Sequence, residues 1–170
     1  MEVMPEIKNR SSVRSFLDQP IDKAILDRIL EAGRLAPSAK NRQPWRFILI
    51  KDKSMRAKIC EAAYGEEWIA QAPALIAICT TNIDYKMPNG ILAYPVDLSF
   101  AASFMALQAE HEGLGCCINT TFQEQEVKDL LTVPHSMRVV VLLILGHPAD
   151  KKESTSVRLA SSRVVSVDHW

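Results

Sequence analysis

The sequence predicts a β-sheet covered by helices on both faces. Short apolar runs alternate with stretches of 3.6-residue periodicity, and Gly and Pro breaks separate them. The 170 residues show no internal linker before about residue 150, so a single domain is expected.

Each element has its own signal. Residues 22–35 read as a helix: Asp22 is a candidate N-cap behind Pro20, and Ile25, Leu26, Ile29, Leu30 and Gly33 share one face. Pro37 in Ala36-Pro37-Ser38 ends it. Residues 45–50 (WRFILI) predict a strand covered on both faces. A short helix follows Lys51–Ser54, with Met55, Ile59 and Ala62 inward, and residues 74–80 (ALIAICT) predict a second buried strand. Residues 96–112 predict a long helix ended at Gly113 and Gly115, and residues 115–119 a third strand. Residues 123–131 predict a helix capped by Thr121 with Glu124 in the capping-box position. Residues 138–145 (RVVVLLIL) are the most β-branched run and the expected central strand. Beyond Gly146-His147-Pro148 the chain turns polar, and Val164-Val165-Ser166-Val167 predicts a short strand with no hairpin partner nearby. Such an extended arm is more useful across a subunit interface than within one small domain.

Composition narrows the functional classes. Apolar residues make up 48% and charged residues 24%, which excludes a disordered or fibrous chain. Twenty Lys and Arg balance twenty Asp and Glu, which argues against a nucleic-acid phosphate binder. A neutral chain also favours a well-covered oligomer. Cys60, Cys79, Cys116 and Cys117 form no C-x-x-C pair, and an adjacent Cys pair closes poorly on itself. The opening MEVMPEIKNR has no apolar leader core, and residues 139–145 are too short to span a bilayer. A reduced, cytoplasmic protein without membrane or nucleic-acid partners is expected. His111, His135, His147 and His169 lack ligand spacing, so no metal site is expected.

Three clusters could carry chemistry. Arg10-Ser11-Ser12-Val13-Arg14-Ser15-Phe16 places two arginines four apart with two hydroxyls between, on one side of a helical turn. Forked and hydroxyl donors of this kind suit a phosphate, although a solvated basic helix has the same composition. Residues 36–45 (APSAKNRQPW) join a helix end to a strand, and the Asn41 and Gln43 amides suit the edge of a planar heterocycle. A purely structural loop is the alternative. Residues 113–122 (GLGCCINTTF) lead a strand toward a helix N-terminus, where free N–H groups meet a ligand or merely a cap.

Taken in order, these clusters resemble the nitroreductase family of FMN-dependent oxidoreductases. The likeness rests on Arg10, Ser11, Ser12, Arg14 and Phe16, and on the AP-S-x-x-N-x-Q-P-W block at 36–45. Asp97 with its Ala-rich helix, G-L-G-C-C, Pro134, Gly146-His147-Pro148 and Arg158 complete it. The resemblance implies an α+β fold, an α/β/α sandwich whose mixed sheet is flanked by helices. It further implies a homodimer with two FMN sites, a core at residues 1–149, and an arm at 150–170 exchanged onto the partner subunit. Arg10, Ser12, Arg14 and Arg158 would hold the FMN phosphate and ribityl chain. Pro37, Ser38, Asn41 and Gln43 would lie along the isoalloxazine, with backbone near Asn119 and Thr120 close to its reactive nitrogen. Ser11, Ala39 and Cys117 complete the implied cofactor set. No catalytic side chain is implied, because the flavin carries the hydride.

Two departures stand out. The segment after Cys117 reads Ile118-Asn119-Thr120 where many relatives have Trp-Ile-Gly, and the long helical insertion of larger members is missing. The substrate wall then falls to residues 85–94, with Tyr85, Met87, Pro88 and Tyr94 as candidates. Trp170 is a candidate interface anchor, and Glu66-Glu67-Trp68 reads as a plain helix face. The implied reaction takes hydride from NADH or NADPH and passes it to a small electrophile such as a nitroaromatic or quinone. With no G-x-G-x-x-G after a strand, both must use one flavin face in turn, which predicts ping-pong kinetics. Dehalogenation, flavin fragmentation and non-enzymatic flavin binding are the alternatives on this scaffold.

Overall fold

Two apolar layers sit on opposite faces of one sheet, and strand alternation builds them. The computed structural model describes residues 3–150 and 157–170. Helix α1 (Pro5–Asn9) and an extended segment lead to α2 (Lys23–Arg34), β1 (Trp45–Ile50), α3 (Lys53–Ala62), α4 (Glu67–Gln71) and β2 (Ala74–Thr80). Then come α5 (Ala93–His111), β3 (Gly115–Asn119), α6 (Glu124–Leu131) and β4 (Arg138–Gly146). The sheet order is β1-β2-β4-β3, so β2 and β4 are interior, as expected for the most apolar runs.

On β2, Ala74, Ile76 and Ile78 face a core shared with α2 and α5, whereas Leu75, Ala77 and Cys79 face α3, α4 and α6. On β4, Val141, Leu143 and Leu145 join the first core and Leu142 and Ile144 the second. Val139 also joins the second core, out of strict alternation. The cause is a bulge: Ile78 pairs with Val141 but Cys79 pairs with Val139, leaving Val140 as the extra residue.

Helix α2 starts as predicted, with the Asp22 carboxylate accepting the Ala24 N–H at 2.7 Å. Its buried Gly33 lets α5 approach, since a Cβ there would lie 2.1 Å from Met105 Cε. Helix α5 is buried along Ala93, Leu98, Ala101, Ala102, Met105, Ala106 and Ala109, yet it also exposes Phe100 and Phe104. A helix apolar on all sides is one designed to be covered on all sides.

The sandwich is as expected, with several local corrections. All four strands pair antiparallel, and the parallel component is one isolated bridge between Ser12 and Cys116. Strand β1 is an edge strand, so Arg46 is exposed and its centre is only half-buried rather than covered on both faces. Helix α5 begins at Ala93, before the predicted residue 96. Thr121 does not cap α6: its own N–H is held by Asn119 Oδ1 at 2.8 Å, and Gln123 occupies the cap position. Glu124 binds Arg138 instead of closing a capping box. Val164–Val167 form no strand: a single helical turn at Ser161–Arg163 precedes them and their hydrogen bonds are local, so no neighbouring strand completes a ladder.

Candidate functional site

The arginine cluster is extended, not helical. Its backbone finds partners on β3 that a helix would have supplied internally: Val13 N–H donates to Cys116 C=O at 2.9 Å. Further on, Leu17 N–H donates to His147 C=O and Ala149 N–H to Ser15 C=O, so the segment is fastened at both ends. Gly115 makes the close approach possible, because a Cβ there would sit 2.8–2.9 Å from Val13. Alternation turns Val13 toward β3 and leaves Ser12 and Arg14 exposed, with Arg10 half-buried beside them. Two residues apart along an extended chain, Arg10, Ser12 and Arg14 share one side.

They converge on Cys117. Burial pushes that thiol above its ordinary value, opposed by the Arg14 charge, a hydrogen bond from Ser12 and the Arg10 charge. The Arg14 guanidinium also lies 5.7 Å from the centroid of the Trp68 ring, a contact the sequence reading missed. The residues expected at a phosphate therefore do meet, by β-alternation rather than by helical spacing. Ser11 is half-buried beside them.

The second cluster is a single tight turn at Ala39–Asn41. Ser38 Oγ accepts the Gln43 N–H at 2.9 Å, and buried Asp97 on α5 accepts the Ala39 N–H at 2.8 Å. Lys40, Asn41 and Gln43 all adopt left-handed φ, at 52°, 53° and 50°. Non-glycine residues there cost about 1 kcal/mol each, so the anchoring hydrogen bonds hold a shape the chain would not choose. Pro37, Asn41 and Gln43 are exposed, and the Gln43 amide donates to Asn41 Oδ1 at 3.0 Å, aligning the two amides.

Sheet register sets what these clusters face. Trp45 pairs with Thr80, Thr80 with Arg138, and Asn119 with Leu142, so the start of β1 and the end of β3 lie at the same end of the sheet. Asn119 is buried and spends its side chain on Thr121, while Thr120 is exposed. Tyr85 and Tyr94 line one narrow cleft with Arg42, Pro44, Asn82 and Asp97, and within the single chain it has no room for a water-sized molecule. Met87 instead closes a turn, its C=O accepting Gly90 N–H at 2.8 Å, and does not join that cleft. Arg138 grips both Glu124 oxygens and reaches Tyr94 Oη at 3.5 Å, steadying the cleft from behind. Burial raises the Glu124 carboxyl, but its hydrogen bond and charge contact with Arg138 outweigh this and hold it below its ordinary value.

The candidate residues thus fall into two groups on opposite sheet edges. Arg10, Ser12, Arg14 and Cys117 follow β3, whereas Pro37, Ser38, Ala39, Asn41 and Gln43 lead into β1. Three strand spacings, about 14 Å, separate those edges. Arg158 joins neither group: it is exposed in the segment 157–170, whose described hydrogen bonds are all internal. All four cysteines are buried, and burial pushes the Cys79 thiol up to about 11. No helix among the described residues is long and apolar enough to cross a membrane.

Known proteins share this fold. The chain matches the Nitroreductase family over residues 7–68 and 60–147. It is 34% identical to FMN reductase [NAD(P)H] of Bacillus subtilis, covering 88% of this chain and 67% of that protein. It is 27% identical to iodotyrosine deiodinase of Thermotoga neapolitana, over 85% and 88% of the two chains. A nitroreductase family protein from Clostridium difficile 630 superposes with a TM-score of 0.89 at 28% identity, covering 100% of both chains. The family match over most of the chain and the relative at 34% identity show that the chain belongs to the nitroreductase family.

Proposed function

We propose that this protein is an FMN-dependent NAD(P)H oxidoreductase acting on a small electrophile. The observation that carries the reading is the convergence of Arg10, Ser12 and Arg14 on one side of an extended segment beside β3. The donor set fits FMN: two guanidinium forks and a hydroxyl suit a phosphate monoester, and the aligned Asn41 and Gln43 amides suit the polar edge of a flavin ring. The relative named FMN reductase [NAD(P)H] supports the same cofactor and reductant.

In this reading Arg10, Ser12 and Arg14 hold the phosphate, and Pro37, Ser38, Asn41 and Gln43 border the ring, with Ser11, Ala39 and Cys117 adjoining. The Thr120 segment contributes backbone donors, and Arg158 closes the site from the arm. Bound FMN supplies the hydride chemistry. The chain's own part is to bind, orient and exclude: the strained turn presents its amides, and Tyr85 and Tyr94 pack beside that turn. Because the two groups lie on opposite sheet edges, we infer that each site is completed between two copies, with residues 150–170 as the exchanged arm. Exposed Phe100, Phe104 and Ile118 supply apolar surface for that contact.

Reductant and acceptor use the same flavin face in turn, since hydride transfer needs reacting atoms about 3–3.5 Å apart. Purified protein is expected to be yellow, to bleach anaerobically with NADH or NADPH, and to regain colour when menadione or a nitroaromatic is added. Double-reciprocal plots at several acceptor concentrations should be parallel; intersecting lines refute the shared-face order. A flavoprotein that neither nucleotide bleaches is not a reductase of this kind. The likeness to iodotyrosine deiodinase supports a second reading, reductive dehalogenation, and iodide release from iodotyrosine by the reduced protein separates the two.

A further inference from the structure

Two cations of the strained turn have no part in the cofactor reading above. The Arg42 guanidinium lies 3.9 Å from the centroid of the Tyr85 ring, and Lys40 Nζ lies 5.9 Å from the same centroid. Neither belongs to an ion pair among the described residues, and both are exposed. The carboxylates of this end are otherwise engaged or outside: Asp97 accepts the Ala39 N–H, Glu124 holds Arg138 at 2.6 Å, and Asp84 is exposed on the neighbouring segment. Two like charges beside one ring repel each other, and the left-handed backbone at Lys40 and Asn41 shapes the turn from which both project. An anion arriving between them removes that repulsion.

Resting on the FMN reading, we propose that Lys40 and Arg42 recognise an anionic group on the molecule that reaches the flavin past the Tyr85 ring. Arg42 can keep its face on the ring while its edge donates a forked pair of hydrogen bonds to a carboxylate or phosphate. Lys40 adds a point charge. The shared chemistry is a planar group carrying an oxyanion, and its source is either a phosphate of the nicotinamide dinucleotide or a carboxylate on the acceptor.

Flavin content is measured first: protein that takes up no FMN refutes the cofactor reading and this proposal with it. On holoprotein, benzoate and benzamide, alike in shape and different in charge, are titrated at equilibrium by the flavin absorbance change. Wild type should favour benzoate. The double variant Lys40→Gln/Arg42→Gln should lose at least 10-fold in benzoate affinity and less than 2-fold in benzamide affinity. Arg42→Lys should recover part of the loss, and added salt should weaken benzoate alone. No preference in wild type, or equal losses for both ligands, overturns the proposal while leaving the FMN reading intact. The source is then read from kcat/KM in the double variant. A selective fall for NADPH or NADH against phosphate-free 1-benzyl-1,4-dihydronicotinamide assigns the anion to the reductant. A selective fall for 4-nitrobenzoate against its methyl ester assigns it to the acceptor, and no fall in either series overturns it.

Discussion

Arg14 is exposed, has no carboxylate partner among the described residues, and is held only by its neighbourhood to Trp68 and Cys117. Replacing it removes a donor without disturbing a core. Arg14→Ala should fold normally and lose FMN about 10- to 100-fold more readily, the equivalent of a charge-assisted hydrogen bond of about 1.5–3 kcal/mol. Equal flavin content after dilution would remove Arg14 from the site. A second residue serves stability. Arg28 on α2 donates to both oxygens of Glu112 at the end of α5, at 2.7 and 2.8 Å, and this lowers the carboxyl to about 2. An unfolded Glu titrates near about 4.3, so the contribution is complete above that pH and is lost as pH falls through about 2. Because Arg28 is half exposed, the pair is worth about 1 kcal/mol or less. Glu112→Gln should be less stable than wild type at neutral pH, and urea unfolding at several pH values should show the gap closing toward pH 2.

At the level of elements, legibility followed periodicity. Helix α2, β2 and β4 carry enough apolar residues in register for the pattern to name both the element and its buried face. The segment 10–16 was misread as helical because spacing four suits a helix, while spacing two suits a strand equally well. What decides is β3, whose free edge is invisible in the sequence of the segment itself. The cap of α6 failed similarly, since Thr121 is already committed to Asn119 and Glu124 to Arg138, partners 2 to 14 residues away. The segment's dependence on β3 can be tested without touching a ligand-binding side chain. Gly115→Ala would bring a Cβ to 2.8–2.9 Å of Val13, a stiff β-branched residue that cannot swing aside. Overpacking of this kind costs about 1–3 kcal/mol. The variant should melt earlier and shed FMN faster although Arg10, Ser12 and Arg14 are all present, and Val13→Ala added to it should restore both. Unchanged flavin retention would separate the segment's seating from the site.

For the whole molecule, what a single chain leaves uncovered says more than what it buries. Val157, Leu159, Val164, Val165 and Val167 are exposed, and Trp170 is fully so at 102%. Phe100, Phe104 and Ile118 add an apolar surface on the core. The sequence made the arm visible as a change in composition after Pro148, but not its conformation, because a strand needs a neighbour and the hydrogen bonds of residues 157–170 among the described residues are all internal. Residues 151–156 of the expected arm lie outside the described residues. Covering even four of those side chains is worth roughly 6 kcal/mol at about 1.5 kcal/mol each, before the cost of ordering the arm is subtracted. That gross gain favours a covered arm, which the proposed exchange between two copies would supply. It also bears on the site, since the amide turn and the arginine segment sit on opposite sheet edges and Arg158 reaches neither within one chain. Truncation after Asp150 should therefore yield a protein with an intact core, judged by its far-ultraviolet signal, that elutes as a monomer and loses its flavin in the same step. Loss of the dimer with full flavin retention would mean that one chain holds FMN alone. A truncated protein that stays dimeric and yellow would show the arm to be a tail, and would leave α5 and the β3 edge to hold the two copies together.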